Sequence, residues 1–318
     1  MDRPTLYITR LLPQAVMDAI PQHYRVLAES TDRPATANEL RYGFTQAEAV
    51  ICTLADRIDT SVLSQAAKLK IIANYAVGYN NIDLSAAGQR SIIVTNTPDV
   101  LTDATADLTW ALLLGVARRV VEGDALVRTG HWTGWAPTQM LGTEVTGKTL
   151  GIVGMGRIGQ AVAYRATGFR MSVLYAAHHA VSSPPGVSWT WQPLDTVLAH
   201  SDYLSLHVPL TDTTRHLIGQ RELALMKPTA FLINTSRGPV IDESALLAAL
   251  EAGTIAGAGL DVYEHEPAAS PALYSLPNVV LLPHLGSATL ETRVRMGLIC
   301  LENIAAALEG RSVPHRVI

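Results

Sequence analysis

Thr149-Leu150-Gly151-Ile152-Val153-Gly154-Met155-Gly156-Arg157-Ile158-Gly159-Gln160 is the stretch that decides the fold of this chain. Leu150 to Val153 is a short apolar run of the length of a buried strand. Gly154, Gly156 and Gly159 follow at G-x-G-x-x-G spacing, and Arg157, Ile158 and the residues after them read as a helix. At such a strand–turn–helix the first glycine allows a tight turn and the second admits a pyrophosphate to the backbone. The third lets the helix pack closely on the sheet. The pyrophosphate would rest on N–H groups at the helix start. The flanking strand and helix separate this stretch from an ordinary glycine-rich turn.

Downstream, Met171 to Tyr175 reads as the second strand of the same sheet. An NAD site usually places an acid where that strand ends, to bond the ribose hydroxyls. Here the residues are Ala177, His178 and His179, with no acid. The missing carboxylate removes repulsion against a 2′-phosphate, and either histidine can donate to one. NADPH is therefore favoured, with NADH left open. Tyr203 to Leu206 is the next strand, and His207, Val208 and Pro209 after it would flank the adenosine side. Strands at Ala230–Ile233, Gly257–Leu260 and Val279–Leu282 deliver Arg237, Asp261, Glu266 and His284 to loops on one edge of the sheet. Functional groups of open α/β sheets lie at that edge. Thr235, Asp261 and Gly286 join the glycine loop as expected cofactor neighbours.

Upstream, strands at Leu6–Thr9, Tyr24–Leu27, Ala49–Thr53, Lys70–Ala73 and Ser91–Thr95 alternate with helical segments, as a second small parallel α/β sheet would. Its strand ends lead into Thr53-Leu54-Ala55 and into the loop Asn74 to Asn81, whose backbone N–H groups suit an anion such as a carboxylate. Pro98 pushes Thr97 toward an extended shape and marks a boundary. The expected domains are 1–98 with 290–318 for the substrate, and 99–289 for the dinucleotide. A single long helix from Thr102 to Asp124 is apolar on more than one face, which predicts burial between domains or against a second subunit. Trp132 and Trp135 follow it in a loop and predict dimer packing.

The chain has 318 residues, 48% hydrophobic and 16% charged, enough for two domains with large cores. A net charge of -4 gives no sign of a nucleic-acid or acidic-membrane partner. Cys52 and Cys300 are too few for a disulfide framework. The first ten residues lack the apolar run of a signal peptide, and no stretch reaches the length of a membrane span. A cytoplasmic protein without membrane partners is expected, and no metal ligands are assigned. The fold class is α/β, with a Rossmann-type doubly wound parallel sheet for the cofactor and a smaller flavodoxin-like α/β domain.

Hydride addition to a ketone leaves charge on its oxygen, so a proton donor and a substrate clamp are needed. His284 is the natural acid, its ordinary pKa lying nearest neutrality. Glu266, 18 residues earlier in the sequence, suits the far imidazole nitrogen. Arg237 offers a planar fork for a 2-oxo carboxylate and its neighbouring carbonyl. Asp261 suits either a nicotinamide carboxamide or Arg237.

Several stretches together resemble the D-isomer-specific 2-hydroxyacid dehydrogenase family, in its glyoxylate/hydroxypyruvate reductase branch. They are Tyr75 to Asp83 (YAVGYNNID), Asn96 to Asp107, Gly147 to Gly159, Asn234 to Gly238 (NTSRG), Gly259 to Glu264 (GLDVYE) and Leu282 to Thr289 (LPHLGSAT). The resemblance implies NADPH- or NADH-linked reduction of a 2-oxo acid to a D-2-hydroxy acid. It makes His284 the acid/base, Glu266 its partner and Arg237 the substrate-binding arginine. Val77 and Gly78 become the amides that receive the substrate carboxylate, Leu54 a pocket residue, and Thr105 a contact to cofactor phosphate. Trp135 would reach toward the substrate pocket of the partner subunit in a homodimer. Two departures stand out: Asn80 replaces a common aspartate, and Ala177-His178-His179 replaces a stretch that usually ends in arginines. Two alternatives stay open, a reductase of bulkier acids such as 2-ketogluconate, and a dinucleotide-sensing corepressor-like protein.

Overall fold

Runs such as Ala49–Cys52, Phe231–Asn234 and Gly257–Leu260 are buried at every position. Strands apolar on both faces belong in parallel sheets covered by helices on each side. The computed structural model describes residues 3–28 and 32–318. It places these runs in two separate sheets, whose ladders between strands are all parallel among the described residues. The chain divides into one unit of Met1–Leu101 with Ser287–Ile318, and a second of Thr102–Gly286.

In the first unit, β1 (Thr5–Ile8), β2 (Arg25–Ala28), β3 (Ala49–Cys52), β4 (Ile71–Asn74) and β5 (Ile93–Thr95) lie in the order β2-β1-β3-β4-β5, the flavodoxin-like arrangement. The last helix, Leu290–Leu308, belongs to this unit. Its Met296, Cys300, Leu301 and Ile304 share a core with Leu6, Ile8 and Ile51. Both ends of the chain thus build one hydrophobic core. The boundaries differ from those expected. Val100 and Leu101 pack on this same core, so the division falls after Leu101 and not at Pro98. The second falls after Gly286 and not Thr289, because Thr289 caps the last helix by accepting from Thr292 N.

In the second unit, β6 (Thr149–Val153), β7 (Ser172–Ala176), β8 (Trp189–Trp191), β9 (Tyr203–Leu206), β10 (Phe231–Asn234), β11 (Gly257–Leu260) and β12 (Val279–Leu281) lie in the order β12-β11-β10-β9-β6-β7-β8. This is the doubly wound order, reversing between β6 and β9. Strand β8 and the helix Leu84–Gln89 are additional to the elements expected from the sequence.

The expected single helix is two, Thr102–Ala117 and Val120–Arg128. They part at Arg119, whose φ is 54° and whose guanidinium grips Glu122 at 2.7 and 2.9 Å. The all-round apolar character of Thr102–Ala117 is accounted for inside this unit. Trp110 stacks on Phe169 with ring centroids 4.7 Å apart, and its Nε1 donates to Val162 O at 3.1 Å. Leu112, Leu113 and Val116 join the core under β6 and β10.

Candidate active site

The strand order reverses at β6 and β9, and the loops leaving these two strands meet there. Gly154 has φ +96°, and a Cβ on it would lie 2.7 Å from the backbone C and O of His207. A Cβ on Gly159 would lie 2.2 Å from Gly154 O. Only bare backbone lets the turn, the helix Arg157–Arg165 and the His207 loop come so close. No side chain caps this helix at Gly156. Gly156 and Arg157 are exposed, while Ile158 is half-buried against the core. A cradle built of backbone beside an uncapped helix start fits a dinucleotide pyrophosphate. His207 keeps part of its surface, but its imidazole is enclosed, with Nε2 2.8 Å from Ser205 Oγ. Burial lowers its pKa, so it contributes backbone shape without charge. Val208 is half-buried and Pro209 exposed.

Ala177, His178 and His179, the residues expected to discriminate the cofactor, directly follow β7. Gly154 N donates to Ala176 O at 2.9 Å, so the next residues border the glycine turn. Ala177 is half-buried and its carbonyl accepts from Trp191 Nε1 at 3.0 Å. His178 is half-buried and His179 exposed. A carboxylate placed here would repel a 2′-phosphate. Ala177→Asp is therefore expected to shift the ratio of kcat/KM for NADPH over NADH by about 10-fold or more toward NADH. An unaltered ratio would place the ribose elsewhere.

Strands β12, β11 and β10 are neighbours, and the loops that carry His284, Glu266 and Arg237 leave them side by side. His284 Nδ1 lies 2.8 Å from Glu266 Oε2. An ionised carboxylate only accepts, so Nδ1–H donates and Nε2 is the outward nitrogen. The other oxygen of Glu266 accepts from Tyr263 N at 3.1 Å. Tyr263 is tied down through its hydroxyl, which donates to Leu282 O at 2.8 Å. Burial raises the pKa of Glu266, but the hydrogen bond and charge of His284 outweigh it, and the net shift is downward. On the adjacent loop, Asn234 Oδ1 accepts from Ser236 N and Oγ at 3.0 and 2.8 Å, and Asn234 Nδ2 donates to Arg237 O at 3.0 Å. Gly238 follows with its backbone against Tyr263 and Glu264, so the Arg237 and Glu266 loops are packed together. Burial lowers the Arg237 pKa, opposed by the charge of Glu266; a guanidinium stays charged nonetheless.

His284 has φ 56°, a left-handed conformation that a non-glycine residue keeps only when its surroundings impose it. Asp261 imposes it. Its carbonyl accepts from His284 N at 2.9 Å, and its carboxylate accepts from Leu285 N at 2.6 Å and Gly286 N at 2.8 Å. Three successive amides thus converge on one fully buried residue. Burial raises the Asp261 pKa against the pull of those amides and of His284.

Asp261 thus orders the His284 loop, each of its carboxylate oxygens accepting one amide of that loop. Gly286 is internal through both N–H and carbonyl, the latter accepting from Thr105 Oγ1 at 2.9 Å. Thr235 is buried with its Oγ1 2.8 Å from Thr109 Oγ1. These hydroxyls and amides pack the loops that shape the edge.

In the first unit, Leu54 follows β3 and is 38% exposed. Val77 and Gly78 follow β4 and are half-buried. Among the described residues their N–H groups donate to nothing. In the second unit Trp135 is 83% exposed.

Comparison with known proteins agrees with this arrangement. The model of "D-isomer specific 2-hydroxyacid dehydrogenase, NAD binding domain" matches residues 110–286. The glyoxylate reductase of Thermococcus litoralis is 48% identical, covering 99% of this chain and 97% of its own length. A Thermus thermophilus protein of known structure superposes with a TM-score of 0.92 at 46% identity, over 99% of this chain and 100% of the other. The NADPH-dependent glyoxylate/hydroxypyruvate reductase of Sinorhizobium meliloti, solved with NADP and malonate, superposes with a TM-score of 0.87. It is 33% identical over 99% of this chain and 97% of its own.

Proposed function

The chain belongs to the D-isomer-specific 2-hydroxyacid dehydrogenase family, and from that premise we propose that it reduces small 2-oxo acids of the glyoxylate and hydroxypyruvate type to D-2-hydroxy acids. The observation that carries the reading is the His284–Glu266 pair at 2.8 Å, packed beside the Arg237 loop on the carboxyl edge of a sheet with a dinucleotide cradle. NAD(P)H, when held by Gly154, Gly156, Gly159 and the first turn of the following helix, supplies the hydride, with NADPH favoured by the missing acid at Ala177.

His284 gives its Nε2 proton to the carbonyl oxygen as charge develops there. Glu266 keeps the ring in one tautomer and stabilises the imidazolium. Arg237 presents its fork to the carboxylate and carbonyl of the substrate. The amides of Val77 and Gly78 receive the carboxylate, and Leu54 limits the space beside it. Unit Met1–Leu101 with Ser287–Ile318 is thus the substrate unit.

Two copies pair through the exposed apolar residues Val120, Val121, Val127, Trp132, Trp135 and Leu141, which are 54–83% accessible and costly to leave in water. Sedimentation at twice the chain mass is expected; a monomer at micromolar concentration would contradict it.

The reading is tested by a turnover panel of glyoxylate, hydroxypyruvate, phenylpyruvate and 2-ketogluconate with NADPH and NADH. The highest kcat/KM is expected with the first two acids. Turnover confined to the bulky acids would reassign the substrate. Dinucleotide binding without any turnover would favour a sensing role.

A further inference from the structure

We infer that Asn96 is a positioning residue that aims the amide of Gly78 at the substrate carboxylate, and that Asn74 sets the Tyr79 amide beside it as a further donor next to those of Val77 and Gly78, an inference that rests on the 2-oxo acid reductase reading. After β4, three successive carbonyls are tied down. Ala76 O accepts from Thr97 N at 2.9 Å. Val77 O accepts from Asn96 Nδ2 at 2.8 Å, and Gly78 O accepts from Asn74 Nδ2 at 2.8 Å. A trans peptide is planar, with its carbonyl and the following N–H pointing opposite ways. Holding each oxygen therefore sets the direction of the next N–H: Thr97 sets that of Val77, Asn96 that of Gly78, and Asn74 that of Tyr79. Among the described residues these three N–H groups make no hydrogen bond. Consecutive amides turned outward in this way form a donor set suited to an anion.

The two asparagines are themselves held. Asn74 is fully buried, and its Oδ1 accepts from Cys52 Sγ at 3.4 Å and Asn81 Nδ2 at 3.3 Å, which leaves Nδ2 as the end facing Gly78. Asn81 Nδ2 also reaches Thr53 O at 3.1 Å and Asp56 O at 3.2 Å, so the loops after β3 and β4 are fastened to each other. The backbone N–H of Asn96 donates to His315 O at 3.3 Å, and His315 N in turn donates to Asn303 Oδ1 at 3.3 Å on the last helix. The orientation of the Gly78 amide thus depends on the carboxyl-terminal segment, at the opposite end of the chain.

The test uses Asn96→Ala and Asn96→Asp, with glyoxylate and its uncharged amide as paired substrates. Asn96→Ala is expected to raise KM for glyoxylate by about 10-fold or more, the usual size of a hydrogen bond to a charged group. KM for NADPH and for the uncharged amide should stay unchanged. Asn96→Asp keeps the shape but sets an acceptor against Val77 O, so an equal or larger rise is expected. It also answers the question should the alanine variant not fold. An unchanged glyoxylate KM in a natively melting variant would overturn the assignment. So would an equal rise for the uncharged amide, because that is what a merely structural residue produces. Failure of the wild-type protein to reduce any 2-oxo acid would instead remove the enzyme reading, and this assignment with it.

Discussion

Replacing His284 with alanine is expected to lower kcat by about 10²–10⁴-fold, the range lost with a positioned general acid. The loss should fall on kcat and leave KM for NADPH nearly unchanged, because the dinucleotide cradle at Gly154–Gly159 does not use this side chain. The geometry gives a reason to expect the upper part of that range. His284 is held at its Nδ1 by Glu266, and at its backbone by Asp261 in a left-handed conformation. Such over-determination leaves Nε2 a fixed direction. Glu266→Gln is the companion variant. A glutamine of the same shape no longer stabilises an imidazolium, so kcat should fall again, with KM for NADPH preserved. The same variant has a stability signature. The folded pKa of Glu266 is depressed, so its contribution to stability is complete above the ordinary carboxylate pKa. It is lost as the pH falls through the lowered folded value. Tm measured against pH should therefore fall less steeply on acidification in Glu266→Gln than in the wild type. Full turnover by His284→Ala would defeat the proton-donor assignment.

Arg237→Lys is expected to lower kcat/KM for glyoxylate by about 10²-fold. The charge is kept, but the two-pronged fork that matches a carboxylate and its neighbouring carbonyl is lost. Arg237 reaches its place through Asn234, which folds the Thr235–Ser236 turn with three hydrogen bonds, and through Gly238, whose backbone lies against Tyr263 and Glu264. A lysine on the same backbone starts from the same point, so the comparison isolates the head group. Lost kcat/KM with unaltered NADPH binding supports a substrate role. Unchanged kcat/KM would assign Arg237 to loop structure.

The strand–turn–helix at Leu150 to Gly159 was readable because apolar run, glycine spacing and helix lie within a dozen residues and each states a local requirement. His284, Glu266 and Arg237 were readable because parallel strands send their functional loops to one edge. The loop-ordering part played by Asp261 was not legible, for a physical reason. Its carboxylate meets the amides of Leu285 and Gly286, partners set by the pairing of β11 with β12 and invisible to local spacing. The break at Arg119 carries no glycine or proline to announce it. Strand β8 is only three residues long, too short for a periodic signal. The helix Leu84–Gln89 did carry one: Asp83 accepts from Ala86 N at 2.9 Å, an N-cap whose residue type was in plain view. The tie between Asn96 and Val77 joins residues distant in sequence across β4 and β5, and only the folded sheet brings them together.

Reduction by this chain brings hydride and a proton to the ketone of a small 2-oxo acid with D stereochemistry. It is tested most directly by incubating the protein with hydroxypyruvate and NADPH deuterated at the nicotinamide C4, and identifying the product by NMR and chiral chromatography. The expected product is D-glycerate whose C2 carries deuterium from the cofactor and no hydrogen from solvent. L-glycerate, a C2 hydrogen drawn from solvent, or no consumption of hydroxypyruvate would contradict it.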